Sequence, residues 1–92
     1  MKVEYADKFD KSLDKIKDKI ALKRLDKLIE KLKAASSLRE ISNVKATADN
    51  IFLYRIRTDD YRLVVEYRDG AITILLLEYL KRNEKTYLNY KK

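Results

Sequence analysis

Phe52-Leu53-Tyr54-Arg55-Ile56-Arg57-Thr58-Asp59-Asp60-Tyr61-Arg62-Leu63-Val64-Val65 carries two runs of alternating polarity on either side of an acidic pair. A period of two puts successive side chains on opposite faces of a strand, so each run reads as a β-strand and Asp59-Asp60 as the two-residue turn of a hairpin. That turn length sets the register: Thr58 opposite Tyr61, Arg57 opposite Arg62, Ile56 opposite Leu63, Arg55 opposite Val64, and Tyr54 opposite Val65. Phe52, Tyr54, Ile56, Leu63, Val65 and Tyr67 then share one apolar face, which is the expected core. Arg55, Arg57 and Arg62 fall together on the other.

Downstream, Asp69-Gly70 is a strong hairpin signal, and 71–79 is a third apolar run. The strands are therefore expected over 51–58, 61–68 and 71–79. Ile72, Ile74 and Leu76 extend the core face, while Leu75 and Leu77 join Leu53 and Val64 around the arginines. Residues 82–90 are polar with two tyrosines and read as a short C-terminal helix or tail.

Upstream, Lys2 to Tyr5 alternates in polarity and reads as a short strand, and Asp7 stands where a helix N-cap would. Phe9, Leu13, Ile16 and Ile20 recur at helical spacing, as do Leu22, Leu25, Leu28, Ile29 and Leu32. In one continuous helix these two stripes would lie about 180° apart. A break near Lys17-Asp18-Lys19 brings both onto one side, which predicts a helix hairpin. The expected fold is a single α+β domain over 1–92, an N-terminal helix hairpin packed on a small antiparallel sheet.

Composition narrows the chemistry. The 92 residues include no His, Cys, Trp or Pro, which removes imidazole acid–base catalysis, cysteine nucleophiles and the usual zinc, haem and iron–sulfur ligand sets. No cofactor and no metal are expected. No apolar run approaches the roughly 20 residues that span a bilayer, and the N-terminus reads as neither a signal peptide nor a membrane segment, so a cytoplasmic protein is expected. Lys and Arg number 22 against 15 Asp and Glu, a formal charge of +7 that points to a polyanionic or acidic partner. The first 42 residues hold two arginines among twelve basic residues, and the remainder five among ten. Arginine's planar fork suits phosphate better than the point charge of lysine, which draws attention to the sheet.

Arg57 facing Arg62 is a conflict that folding alone does not explain, because like charges directly opposite in a sheet are destabilising. A bound anion would resolve it. The alternative is that Glu66, Asp59, Asp60 and Glu78 pair with these arginines and leave a merely solvated face.

The segment from Phe52 to Val65 resembles the "YRIR…GDYRLV" hairpin of the RelE/ParE superfamily of toxin–antitoxin toxins. The resemblance continues through the last strand into Lys81-Arg82-Asn83-Glu84-Lys85-Thr86-Tyr87, similar to that family's basic cluster followed by Tyr. It implies a type II toxin neutralised by a cognate antitoxin, with a hetero-oligomer of the two. The RelE branch implies a metal-independent endoribonuclease that cleaves mRNA on the ribosome and inhibits translation; the ParE branch implies a non-enzymatic inhibitor of DNA gyrase. For the nuclease, the resemblance makes Arg55, Arg62, Lys81 or Arg82, and Tyr87 the catalytic set, with Arg57 and Lys85 as RNA-binding residues. Tyr87 would carry a proton, stack on a base, or pin the tail to the sheet. The family's frequent turn Gly is Asp59 here, and Leu53 stands where one of the nuclease lysines would. An antitoxin is expected over the arginine face, where Leu53, Val64, Leu75 and Leu77 would otherwise stay wet. A basic nucleic-acid-binding domain without toxicity is a third class, though no recognition helix stands out.

Overall fold

The computed structural model describes residues 1–47, 51–68 and 73–81. Its elements are β1 (Lys2–Tyr5), α1 (Asp7–Asp14), α2 (Lys19–Ala34), a 3₁₀ turn at Leu38–Glu40, β2 (Val44–Ala46), β3 (Leu53–Thr58), β4 (Tyr61–Arg68) and β5 (Thr73–Lys81). The five strands form one sheet in the order β1-β5-β4-β3-β2. α1 lies over β5, and α2 over β1 and β3. Among the described residues no helix is long and apolar enough to cross a membrane.

The α+β class and the short strand at Lys2–Tyr5 are as expected, so the helix pair follows a strand instead of opening the fold, and the sheet is not purely antiparallel. β1 runs parallel to β5, pairing Lys2 with Thr73 through Tyr5 with Leu76. The long connection that a parallel pair requires runs through both helices and then through β2, β3 and β4. β2 pairs antiparallel with β3 at the opposite edge and went unanticipated, because three residues are too few to display a period.

The break between the helices falls where the two stripes required it. α1 ends at Asp14, and Asp18 caps α2, its Oδ1 accepting from the backbone N–H of Ile20 at 2.9 Å and of Ala21 at 3.1 Å. An Asp cap therefore does the work that Gly or Pro would otherwise signal. Asp7 is not a cap: Ala6 holds that position, and Asp7 and Asp10 sit in the first turn of α1, where carboxylates favour the helix dipole. The break also takes Ile20 out of phase with α1, leaving it 63% exposed instead of completing the Phe9, Leu13, Ile16 stripe.

Phe9, Leu25, Leu28 and Leu32 from the helices bury against Ile56, Leu63, Val65, Ile74 and Leu76 of the sheet. Phe52 was expected among these but is exposed, since β3 starts at Leu53, two residues later than expected. Ile72 and the 82–90 tail lie outside the described residues. Two hydroxyls tie the layers together. Ser12 Oγ donates to the Phe9 carbonyl at 2.7 Å and accepts from the Tyr79 N–H at 3.0 Å, satisfying a strand amide that β1 does not reach. Tyr79 Oη donates to the Ala21 carbonyl at 3.2 Å and lies 2.7 Å from Thr58 Oγ1, and its ring stacks on Tyr61.

The β3–β4 register is the one the turn length gave, pair for pair from Tyr54↔Val65 to Thr58↔Tyr61. The β4–β5 register differs. Arg68 pairs with Thr73 rather than with Ala71, so the strands are offset by two residues from a two-residue turn; the connecting residues lie outside those described. An even offset leaves every side chain on its expected face. An irregularity then changes the faces further along: Val64 pairs with Glu78 but Val65 with Leu76, so that Leu77 is an extra residue in β5. Such a bulge reverses the alternation beyond it. Tyr79 consequently enters the core, and Glu78 lands in a row with Arg55.

Candidate nucleic-acid interface

Residues on the outer face of the sheet follow from the pairing. One cross-strand row reads Lys45, Arg55, Val64, Glu78, and the next Arg57, Arg62, Leu80. Arg57 and Arg62 are direct neighbours, as the hairpin register required. Arg55 and Arg62 are half-buried and Arg57 is exposed. Beneath them Leu53, Val64 and Leu77 form a second, smaller apolar cluster at 3%, 2% and 7% exposure, joined by Leu75 and Ala6. Leu53, Val64, Leu75 and Leu77 were expected to stay wet without a partner, but the first two and Leu77 are already buried within the chain and Leu75 is partly so. The arginine stems can lie along this apolar floor, and Nη1 of the Arg62 head is itself buried there.

The hairpin is fixed from two sides. Asp59 takes the left-handed conformation, φ 49°, which Asp tolerates better than most residues, and its carboxylate forms an ion pair with Arg24 of α2. The Arg57 N–H donates to the Asn43 carbonyl at 3.1 Å, and Asn43 is itself left-handed at φ 63°. Asn43, Lys45, Arg55, Arg57 and Arg62 line a depression of about 90 Å³. Four cations around so small a volume favour an anion there.

The four acids weighed against these arginines are dispersed. Asp59 is engaged by Arg24, Glu66 by Arg68 at 3.0 Å, and Asp60 stands exposed in the turn. Glu78 alone of the four lies in the arginine rows, and its Oε2 is buried with no hydrogen-bond partner among the described residues.

Lys81 is placed apart from Arg55 and Arg62. It ends β5 opposite Tyr61, on the helix side of the sheet, and lines a separate depression of about 410 Å³ with Lys8, Lys11 and Lys15 of the α1 region. Arg82, Lys85 and Tyr87 lie outside the described residues. Asn43 and Lys45 were missed by sequence reasoning; their only signal was the polar residue inside Val44-Lys45-Ala46, which pairs with β3. Burial pushes the Tyr79 hydroxyl above its ordinary value, with the bond to Thr58 opposing. Its place in the core makes it a structural tyrosine. Among the described residues, no group of three or more His, Cys, Asp or Glu is arranged to hold a metal ion.

Residues 3–85 match the family model described as the ParE toxin of the type II toxin–antitoxin system parDE. Among solved structures, the RelB–RelE antitoxin–toxin complex of Methanococcus jannaschii is similar at 27% identity and a TM-score of 0.77, over 97% of this chain and 99% of that one. The archaeal RelE–RelB complex of Pyrococcus horikoshii OT3 is similar at 20% identity and a TM-score of 0.69, over 90% and 96%. A mutant Escherichia coli toxin RelE bound to an antitoxin RelBc peptide shares the fold at 15% identity and a TM-score of 0.67, over 99% and 93%. No curated protein matches by sequence. The hairpin, the helix pair above it and the family match over nearly the whole length agree, and the chain belongs to the ParE toxin family, within the RelE/ParE superfamily of type II toxin–antitoxin toxins.

Proposed function

We propose that this toxin is a metal-independent endoribonuclease that cleaves mRNA on the ribosome and so inhibits translation in the cytoplasm. The observation that carries the reading is the depression ringed by Lys45, Arg55, Arg57 and Arg62, on a rigid sheet and floored by apolar side chains. In the reaction, the substrate's 2′-hydroxyl attacks the adjacent phosphorus, and the bond from phosphorus to the 5′-oxygen breaks. The products are a 2′,3′-cyclic phosphate and a 5′-hydroxyl, with one proton lost from the nucleophile and one gained by the leaving oxygen. Arg55 and Arg62 neutralise the charge that grows on the phosphoryl oxygens, and Arg57 holds a neighbouring phosphate. Lys81 faces the helix side of the sheet, so of the two expected cations we assign the role to Arg82, with Lys85 as an RNA contact and Tyr87 as proton carrier or stacking platform.

The partner is a cognate antitoxin, as in the toxin–antitoxin complexes that share this fold. An acidic segment complements the +7 charge and would cover the arginine face. A second reading, inhibition of DNA gyrase without catalysis, is favoured by the match to the ParE family model. Induced expression with parallel readouts of translation and plasmid supercoiling separates the two. The nuclease reading expects translation to stop first, with new 5′ ends in mRNA inside ribosome-protected segments. Loss of supercoiling with intact mRNA would transfer the assignment to gyrase.

A further inference from the structure

The depression on the arginine face is not isolated. Two of its lining residues, Asn43 and Arg57, also line a second, larger depression of about 460 Å³ between α2 and the sheet edge, where Arg24, Lys27 and Lys31 form the helical wall. At about 100° per residue, these three side chains fall within about 60° of one another around α2, whereas Asp26 and Glu30 lie roughly 200–240° away from Arg24. The stripe borders the buried face of Ala21, Leu25, Leu28 and Leu32, so it looks into the groove beside the sheet. An ordinary solvated helix face alternates charges; this one is sorted.

We infer that Lys27 and Lys31 of α2, with Asn43 and Arg57 as the junction, form a second phosphate-binding site that continues from the arginine face and tracks the backbone of single-stranded RNA. This rests on the nuclease reading for its ligand but not for its geometry. Arg24 is engaged by Asp59, and the Glu40 carboxylate at the groove's rim accepts from the Ser36 N–H at 2.7 Å, so both nearby acids have local partners. Lys27 to Lys31 spans about 6 Å of helix rise, which lets the two ammonium groups meet separate phosphates of one strand. A basic groove that follows the backbone without reading bases is the usual device for holding single strands, and it would fix the orientation in which the strand crosses the arginines.

The test uses the full-length toxin and a fluorescent ten-nucleotide oligouridylate with 2′-O-methyl groups, which cannot be cleaved through its own hydroxyl. Affinity is measured from 50 to 200 mM salt for wild type, for Lys27→Gln/Lys31→Gln, and for Lys8→Gln/Lys11→Gln, which removes equal charge from the α1 depression. Each lost phosphate contact to a single strand lowers the slope of log affinity against log salt by about 0.7, so the α2 pair should lose about 1.4 and the α1 pair markedly less. Equal losses in both variants would mean diffuse attraction and overturn the site, as would no loss in the α2 variant or binding of an acidic decapeptide in place of the RNA. If wild type fails to cleave mRNA on ribosomes yet the α2 slope falls selectively, the RNA track stands and the nuclease reading falls. If cleavage is seen with the slope unchanged, the nuclease stands and the track falls.

Discussion

Replacing Arg62 by alanine separates a catalytic arginine from a structural one, because the two roles predict opposite balances of activity and stability. Arg62 faces Arg57 directly across β3 and β4, and like charges in that position oppose folding by about 0.2–1 kcal/mol. Against that relief stands the packing of a half-buried stem on the Val64 floor, of similar size, so the net change in stability should lie within about 1 kcal/mol. At about 4–8 °C per kcal/mol for a domain of this size, the melting temperature should move by no more than that, in either direction. Catalysis should respond far more. A fixed donor aimed at transition-state charge is worth about 3 kcal/mol, or a hundredfold and more in rate. Arg62→Lys keeps the charge but loses the planar fork and should fall between wild type and alanine. The assay is mRNA cleavage mapped at single-nucleotide resolution on stalled ribosomes, with thermal melts of the same preparations. Equal cleavage by wild type and Arg62→Ala at equal stability would refute the assignment. A fall in cleavage matched by a fall of 10 °C or more would show that Arg62 supports the fold instead.

Tyr79→Phe removes a buried hydroxyl bonded to Thr58 and Ala21 while leaving the ring stacked on Tyr61, and should lower stability by about 1–2 kcal/mol in urea or heat. Burial raises the folded-state pKa of Tyr79 above its unfolded value, so its contribution is complete below about pH 10 and is lost as pH rises through the folded value; the phenylalanine variant should lack this part of the alkaline decline in melting temperature. Asp18→Ala uncaps α2 and should cost about 1 kcal/mol, seen in the denaturant midpoint at unchanged slope. Binding of the antitoxin should slow amide exchange in β3 and β5 beneath the arginine face, and unchanged exchange there on saturation would place the partner elsewhere. Chelator should leave cleavage unchanged provided ribosomal magnesium is maintained, since the proposed charge neutralisation comes from arginine and lysine.

The hairpin at Asp59-Asp60 was legible from sequence because a short turn and a period of two leave one register that buries Ile56, Leu63 and Val65. The opposition of Arg57 and Arg62 follows from the same arithmetic, and so does the helix break, since one continuous helix could not bury both of its stripes. Other features depend on contacts between distant parts of the chain. The parallel seat of β1 on β5 joins residues some seventy positions apart. The bulge at Leu77 has no local signature: it exchanges Tyr79 for Glu78 on the core face, and Tyr79 then meets hydroxyl and carbonyl partners on β3 and α2. Asn43 and Lys45 reach the arginine cluster because β2 adds to the sheet edge, and Lys81 leaves it because the alternation reverses beyond the bulge. Local chemistry decides turns, caps and face periodicity within an element, so the sequence by itself determined the arginine face. Which groups gather around that face depends on how strands from separate stretches pair, and that pairing was decided only when the helices and the sheet buried their apolar sides together.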